Sequence, residues 1–560
     1  MQYIKSISFA WALLFCSFYI GAQDLSNIVE EEDPIKVSGG LGITNILYGA
    51  TGIESRRDPW SYFVSGTVNI DIYGLSLPFS GTYSNQQGNF VQPFNQYGVS
   101  PKYKSLTGHI GYRSMTFSPY TLAGHIFLGA GVDYNPGIFR ISAMYGRLNK
   151  ATPEDTLMVG PSHPFYRRMG YGLKVGVGSD GNAIDLIIFR AKDDVLSLPF
   201  NPEGLSPEEN LVIGLTARKV LYKKVSMGFD VGSSAYTRDV HTEKISDGGG
   251  GIFYGSGIMN RYASSTHQNA LKGDITYNAN RYDLQFAYER IDPGYRTLGA
   301  YFFNNDMENI TVGASSRILK DKMNFSVNVG TQRNNLDQMQ MNTMRRMIGS
   351  VNISYMPVDK VNMDLSYSNF TNNSRIEQRF DPLLEMDSLD YYQVTQSANG
   401  GISYNFGNKE KRQGVSVNGA YQIANDNLTR EVSGDNKFYN ASLAYRYSLT
   451  PISLTLSTGL NFNQTDMMET SNRMIGPMVS LSKALFNKQV KSILGGSWNN
   501  SYTGSELTGR IINVRWSNAY IYKKMHNLTM SFILVNRYNR KATVASFNEF
   551  TGTIGYAYNF

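Results

Sequence analysis

Reactive chemistry in this chain has to come from histidines, carboxylates, hydroxyls or thioethers, because its only cysteine is Cys16. The six histidines stand at positions 109, 125, 163, 241, 267 and 526, without HExxH or any other metal-ligand spacing. A hydrolytic site would need a serine nucleophile, a histidine base and an orienting polar group within hydrogen-bond reach. His109 and His125 lie in strand-like segments, yet no sequence signature marks either. The chain is therefore expected not to be an enzyme and to need no cofactor. Asp381, Glu385, Asp387 and Asp390 offer hard oxygen donors of the kind Ca²⁺ prefers, without the spacing of an EF-hand. A solvated acidic loop is the simpler reading. Met339, Met341, Met344 and Met347, with Met467 and Met468, have thioethers that could bind Cu(I) or pack against aromatic rings. No metal site is assigned.

These side chains must be carried by strands, because the dominant sequence period is two. Trp60, Tyr62, Val64, Val68, Ile70 and Ile72 alternate with Ser61, Ser65, Thr67, Asn69 and Asp71. The same pattern returns at Met169, Leu173 and Val177, at Tyr282, Leu284 and Phe286, and at Leu528, Met530 and Phe532. Convincing helical periodicity is missing. If the apolar faces meet lipid, the polar faces point into a lumen. Asp71, Lys174, Asp230, Lys272, Asp274, Asp283, Glu289, Arg317, Asp364, Arg446 and Arg515 are then lumen-facing candidates. Charges of both signs suit a water-filled pore, or a lumen bridged shut by ion pairs.

The composition narrows the class. Among 560 residues, 54 Gly and 38 Tyr stand against only 18 Pro, and no linker or composition shift divides the chain after residue 40. Mean hydropathy is slightly negative. Outside the N-terminus no apolar run approaches the roughly 20 residues of a membrane-spanning helix. Barrel strands escape a hydropathy scale, since half of each faces water. Residues 1–22 read as a secretory signal, with Lys5 before an apolar run. Residues 23–35 form a short acidic segment, and 36–560 the barrel. Removing the signal removes Cys16, so the mature chain is expected to have no disulfide and no thiolate site. The net charge of +7 comes from 52 basic and 45 acidic residues spread evenly. A nucleic-acid partner, which needs a concentrated basic face, is not expected.

The final strand is the most specific element. Phe550, Gly552, Ile554, Tyr556, Tyr558 and Phe560 form an apolar and aromatic row, with small or polar residues between them. The row resembles the C-terminal strand of Gram-negative outer-membrane β-barrels. That resemblance implies that Tyr556, Tyr558 and Phe560 are an assembly signal, read by the barrel-assembly machinery. Strand-like alternation begins by Lys36, so a TonB-dependent transporter, which carries a plug domain before its barrel, is not expected. The stretch DPGYRTLGAYFF from Asp292 to Phe303, NDMEN from Asn305 to Asn309 and MRRMIG from Met344 to Gly349 resemble large barrels of bacteria that use type IX secretion.

Short turns alternate with longer loops at 149–166, 195–208, 239–265, 332–345, 371–392 and 425–437. This phase breaks around residues 75–128. The expected fold is all-β, a single antiparallel transmembrane barrel of about 24 strands, within 22–26, with short periplasmic turns and long extracellular loops. The expected function is passage of solutes or a polypeptide through the outer membrane, amid outer-membrane lipid. The alternative is a closed barrel acting as scaffold or receptor for a secretion or surface partner. A soluble β-sandwich would bury the same apolar rows between two sheets.

Overall fold

The computed structural model describes residues 35–560 apart from 86–94, 154–163, 180, 200–203, 246–250, 255–257, 302–303, 340–344, 370–392, 426–434, 468–469 and 541–544. The expected signal and the acidic candidates Asp381, Glu385, Asp387 and Asp390 lie outside those residues, as do Met341, Met344 and Met468.

The period-two segments form 27 strand segments, β1 to β27 in chain order, joined in one antiparallel sheet. The sheet closes on itself. β1 (Ile35–Thr51) pairs with β2 (Trp60–Ile72) on one side and with β27 (Phe547–Asn559) on the other. At that seam Ile43 lies opposite Tyr556, and Gly39 and Phe560 exchange backbone hydrogen bonds of 2.9 and 3.0 Å. Among the described residues closure leaves no free edge and no second stacked sheet, which rules out the sandwich.

The ring has 26 positions, two more than the expected 24. β4 (Gln96–Val99) and β5 (Lys102–Tyr103) share one position between β3 (Leu75–Ser84) and β6 (Leu106–Thr116). Pro101 lies at the break and has no N–H to give the ladder. One interrupted strand reads as two in the sequence, which is why the loop phase seemed to fail there. In the structure long and short connections alternate from β1 as far as residue 454; beyond it the long-rim connections 468–469 and 504–505 are two residues each. The short turns need left-handed backbone: Tyr222 (φ 51°) and Lys223 (φ 57°) join β11 (Glu209–Leu221) to β12 (Val225–Thr237). Two consecutive positive φ angles match the right-handed twist of a hairpin.

The two faces of the wall differ sharply. Ile402, Val417, Leu443 and Leu460 lie side by side across β19 (Gln393–Gly407), β20 (Lys411–Asn425), β21 (Asp435–Leu449) and β22 (Leu454–Met467). They are 47–53% exposed. The opposite rows make every contact between non-neighbouring strands described below. In a closed cylinder side chains converge only on the concave side, so those rows are interior. Near the long-loop rim, Phe253 and Tyr254 of the helical turn α1 (Gly251–Tyr254) cover Leu211, Ala235 and Ile188 on the outer face.

Candidate functional site

The lumen is filled over one sector by two connections that fold inward from the long-loop rim. The first, residues 117–122, joins β6 to β7 (Ala123–Tyr134). The second, residues 292–306, joins β14 (Tyr282–Ile291) to β15 (Met307–Ile318). Phe117, Leu122 and Leu298 pack with Met115 on β6, Phe127 on β7, Met144 and Leu148 on β8 (Phe139–Asn149), and Ile187 and Phe189 on β10 (Asn182–Asp194). Burying each large apolar side chain contributes about 1.5–3 kcal/mol.

Interior glycines make the room. A Cβ at Gly232 on β12 would stand 2.5 Å from Tyr295 Oη and 2.6 Å from Tyr120 Cβ. One at Gly214 on β11 would stand 2.7 Å from Thr121 Cγ2. Both wall positions are thus given up to the loops.

Hydrogen bonds then join loop to loop and loop to wall. Tyr295 Oη donates to the Tyr120 carbonyl at 2.7 Å, and Thr297 Oγ1 to the Thr121 carbonyl at 2.7 Å. Ala123 N donates to the Gly299 carbonyl at 2.9 Å. Asn210 on β11 accepts from Leu298 N at 3.1 Å, and Tyr120 Oη donates to Glu289 Oε1 on β14 at 2.7 Å. Tyr301 stacks on His125 at 4.1 Å between ring centroids. Burial, and then the Glu289 carboxylate, push the Tyr120 phenol above the ordinary tyrosine range, and burial does the same for Tyr295. Both remain proton donors at neutral pH.

An ionic clamp holds the second connection at the rim. Arg168, on β9 (Arg167–Ser179), donates to both Asp193 oxygens at 2.7 and 2.9 Å and to Glu208 Oε2 at 2.6 Å. Glu208 Oε1 takes Arg296 Nη1 at 3.0 Å and also accepts from Tyr236 Oη. The guanidinium of Arg296 lies over the Tyr236 ring, 5.1 Å from its centroid. Desolvated ions of this kind persist because each is paired and hydrogen-bonded.

The remaining interior wall, β16 (Met323–Arg333) to β27, differs in kind. Its interior rows carry mostly amides and hydroxyls, including Asn324, Ser326 and Asn328, then Asn461 and Asn463, then Asn513 and Ser517, with Asp364, Arg446 and Arg515 among them. Asparagine is ordinarily depleted in strands, so its recurrence here reflects the wet face rather than backbone preference.

Strand register puts all eleven charged candidates on interior rows, in different surroundings. Asp230, Lys272 and Glu289 are consecutive cross-strand neighbours over β12 to β14. Asp230 accepts from Arg218 Nη2 at 2.6 Å. Lys174 Nζ lies 5.5 Å from the Phe117 ring centroid, at the edge of the filled sector. Asp274 approaches Gly228, where a Cβ would stand 2.4 Å from its Oδ1. Asp283, Arg317 and Asp364 line one polar basin of about 990 Å³. Asp71 accepts from Asn69 at 2.7 Å, Arg446 donates to Asn405 at 3.5 Å, and Arg515 donates to Ser517 at 3.0 Å. Beside the seam, the His526 ring lies tilted against Tyr558 at 4.9 Å and hydrogen-bonds Tyr556 Oη at 2.8 Å, while Tyr558 stacks on Phe560 at 5.5 Å. Among the described residues no group of three or more His, Cys, Asp or Glu could hold a metal ion. Met339 and Met347 are exposed.

Sequence reading missed the loop–wall assembly of Tyr120, Tyr295, Asn210, Arg168, Glu208 and Arg296. Glycines at 214, 232 and 172, where alternation calls for interior side chains, were the available signal.

The fold and its filled sector define a large closed antiparallel β-barrel. No protein-family model matches the sequence, and no curated protein sequence matches it. Among solved structures, the chain is similar to the translocation pore of the P pilus usher PapC, at 11% identity and TM-score 0.35, over 93% of this chain and 98% of that one. It is also similar to BauA, the ferric preacinetobactin receptor from Acinetobacter baumannii, at 10% identity and TM-score 0.33, over 93% and 81%. A third is a bacterial polysaccharide outer membrane secretin, at 12% identity and TM-score 0.28, over 53% and 91%. These likenesses are of general barrel architecture.

Proposed function

We propose that this chain is an integral outer-membrane barrel giving passage to hydrophilic solutes or a polypeptide along the β16–β27 side of its lumen. The observation that carries this reading is a belt of half-exposed aliphatic side chains around an amide- and hydroxyl-lined interior. Such a belt suits acyl chains and would be a liability in water. Amides and hydroxyls exchange hydrogen bonds with water and cargo alike, without holding a counter-ion, so neutral or mixed-charge cargo fits this wall. Passage itself requires no bond-making step. Lipid surrounds the belt, the barrel-assembly machinery reads the row of Tyr556, Tyr558 and Phe560, and no nucleic acid takes part.

A second reading is a closed scaffold or receptor in a surface or secretion complex. The two packed inward connections favour it, and the stretch from Asp292 that resembles barrels of type IX-secreting bacteria is one of them. Conductance of the purified full chain in a planar bilayer separates the two. Stable channels that widen when residues 294–304 are shortened support passage. Silence in both proteins, with folding verified by heat-modifiable gel migration, leaves the scaffold.

A further inference from the structure

We propose a second activity: the interior wall near the short-turn mouth hydrolyses polar carboxylic esters through Ser100, His109, Asp133 and Arg113. Ser100 precedes the Pro101 break, and the register pairs Val99–Ile110 and Lys102–Thr107 set it directly across from His109. His109 Nε2 lies 2.9 Å from Asp133 Oδ2, and its Nδ1 lies 3.3 Å from Ser100 Oγ. An ionised carboxylate only accepts, so the Asp133 contact places the proton on Nε2 and leaves the Nδ1 lone pair toward the hydroxyl. Ser142 Oγ donates to the other Asp133 oxygen, which holds that carboxylate in place. His109 and Asp133 both stay partly open to solvent, at 16% and 34%.

An electrophile stands beside the pair. Arg113 folds over Gly98, the interior residue next to Ser100, with its Cζ 2.9 Å from where a Cβ would sit. Its Nη1 donates to Ser80 at 2.7 Å, whereas its buried Nε has no hydrogen-bond partner among the described residues. The guanidinium as a whole is only part-buried, so its charge can meet a developing oxyanion. Beyond Arg113 opens a cavity of about 420 Å³ lined by Ser65, Thr67, Ser80, Thr82 and Gln96, which selects a polar substrate.

The chemistry balances within these groups and water. Ser100 Oγ attacks the ester carbonyl as Nδ1 of His109 takes the hydroxyl proton. The C–O bond to the alcohol breaks, and that proton leaves with the alcohol. Water then attacks the acyl-serine, passing one proton through His109 back to Ser100 Oγ and releasing the acid. Asp133 is a positioning residue throughout.

The test uses the full chain in detergent, treated with a fluorophosphonate probe and assayed with p-nitrophenyl acetate. The expected result is phosphonylation of Ser100, located by peptide mass spectrometry. Labelling should be lost in Ser100→Ala and fall on the order of 100-fold or more in His109→Gln. Asp133→Asn should slow labelling and Asp133→Glu should restore part of it, a pattern that a purely structural carboxylate would not produce. Ser142→Ala, which removes one hydrogen bond from Asp133, should slow labelling less than Asp133→Asn. Wild-type protein of verified heat-modifiable migration that stays unlabelled, or labelling that persists in Ser100→Ala, overturns the proposal. The outcome is independent of whether the barrel conducts.

Discussion

The phenol of Tyr295 donates to the backbone carbonyl of Tyr120 at 2.7 Å, across 175 positions of sequence. The two residues belong to connections whose flanking strands are far apart around the ring, so the bond is a chord through the lumen. It joins the two inward connections into one body. Whether the barrel conducts depends on how firmly that body is seated.

Gly232→Val should unseat it. No side chain at 232 can coexist with Tyr295 Oη and Tyr120 Cβ at 2.5 and 2.6 Å from a Cβ. Overpacking of this kind costs about 1–3 kcal/mol, and moving the loops relieves it more readily than moving a laddered strand. Larger single-channel conductance with unchanged heat-modifiable migration is expected. Unchanged conductance would mean that the connections do not limit passage.

The clamp separates two arginines that look equivalent in sequence. Arg168→Ala leaves Asp193 buried without its cation, at a cost of about 3–5 kcal/mol. Arg296 is half exposed and Glu208 keeps Arg168, so Arg296→Ala should cost on the order of 1 kcal/mol or less. Urea unfolding in lipid vesicles orders the two. Equal losses would place the clamp's strength elsewhere.

Alkaline pH should release the connections. In the folded state the Tyr120 and Tyr295 phenols titrate above their ordinary range, while once released they titrate near the usual value of about 10. Their contribution is therefore whole below about pH 10 and lost as the pH climbs from there toward the folded values, at about 1.4 kcal/mol per pH unit for each phenol. Protease cleavage near residues 294–299 should rise above pH 10 and rise less in Tyr120→Phe. Cleavage independent of pH up to 11 would contradict this.

The two faces can be told apart by one charge. Leu443 is 47% exposed on the outer row, and Ser442 is its interior neighbour in β21. Leu443→Arg should cost about 2–4 kcal/mol if the belt meets the bilayer midplane, and Ser442→Arg much less. Vesicle unfolding measurements give both values. Equal costs would remove the lipid-facing assignment.

Period-two alternation determined, without any coordinates, that the chain is all-β and which rows are apolar, because a strand puts alternate residues on opposite faces. Rows such as Tyr282, Leu284 and Phe286 needed only local chemistry to be recognised. The short turns were legible for the same reason, each being set by a few adjacent residues. The loop phase was lost around residues 75–128 because Pro101 interrupts a strand whose register against both neighbours continues unbroken, and the ring holds 26 strands where about 24 were expected. What only the tertiary structure decided is the interior: Tyr120 on Glu289, Leu298 on Asn210, Arg296 on Glu208, and Ser100 beside His109. Those pairs join connections and strands with no shared period, and they exist only because the sheet closes and turns its polar face toward one axis. Closure brings together residues that alternation alone leaves unrelated.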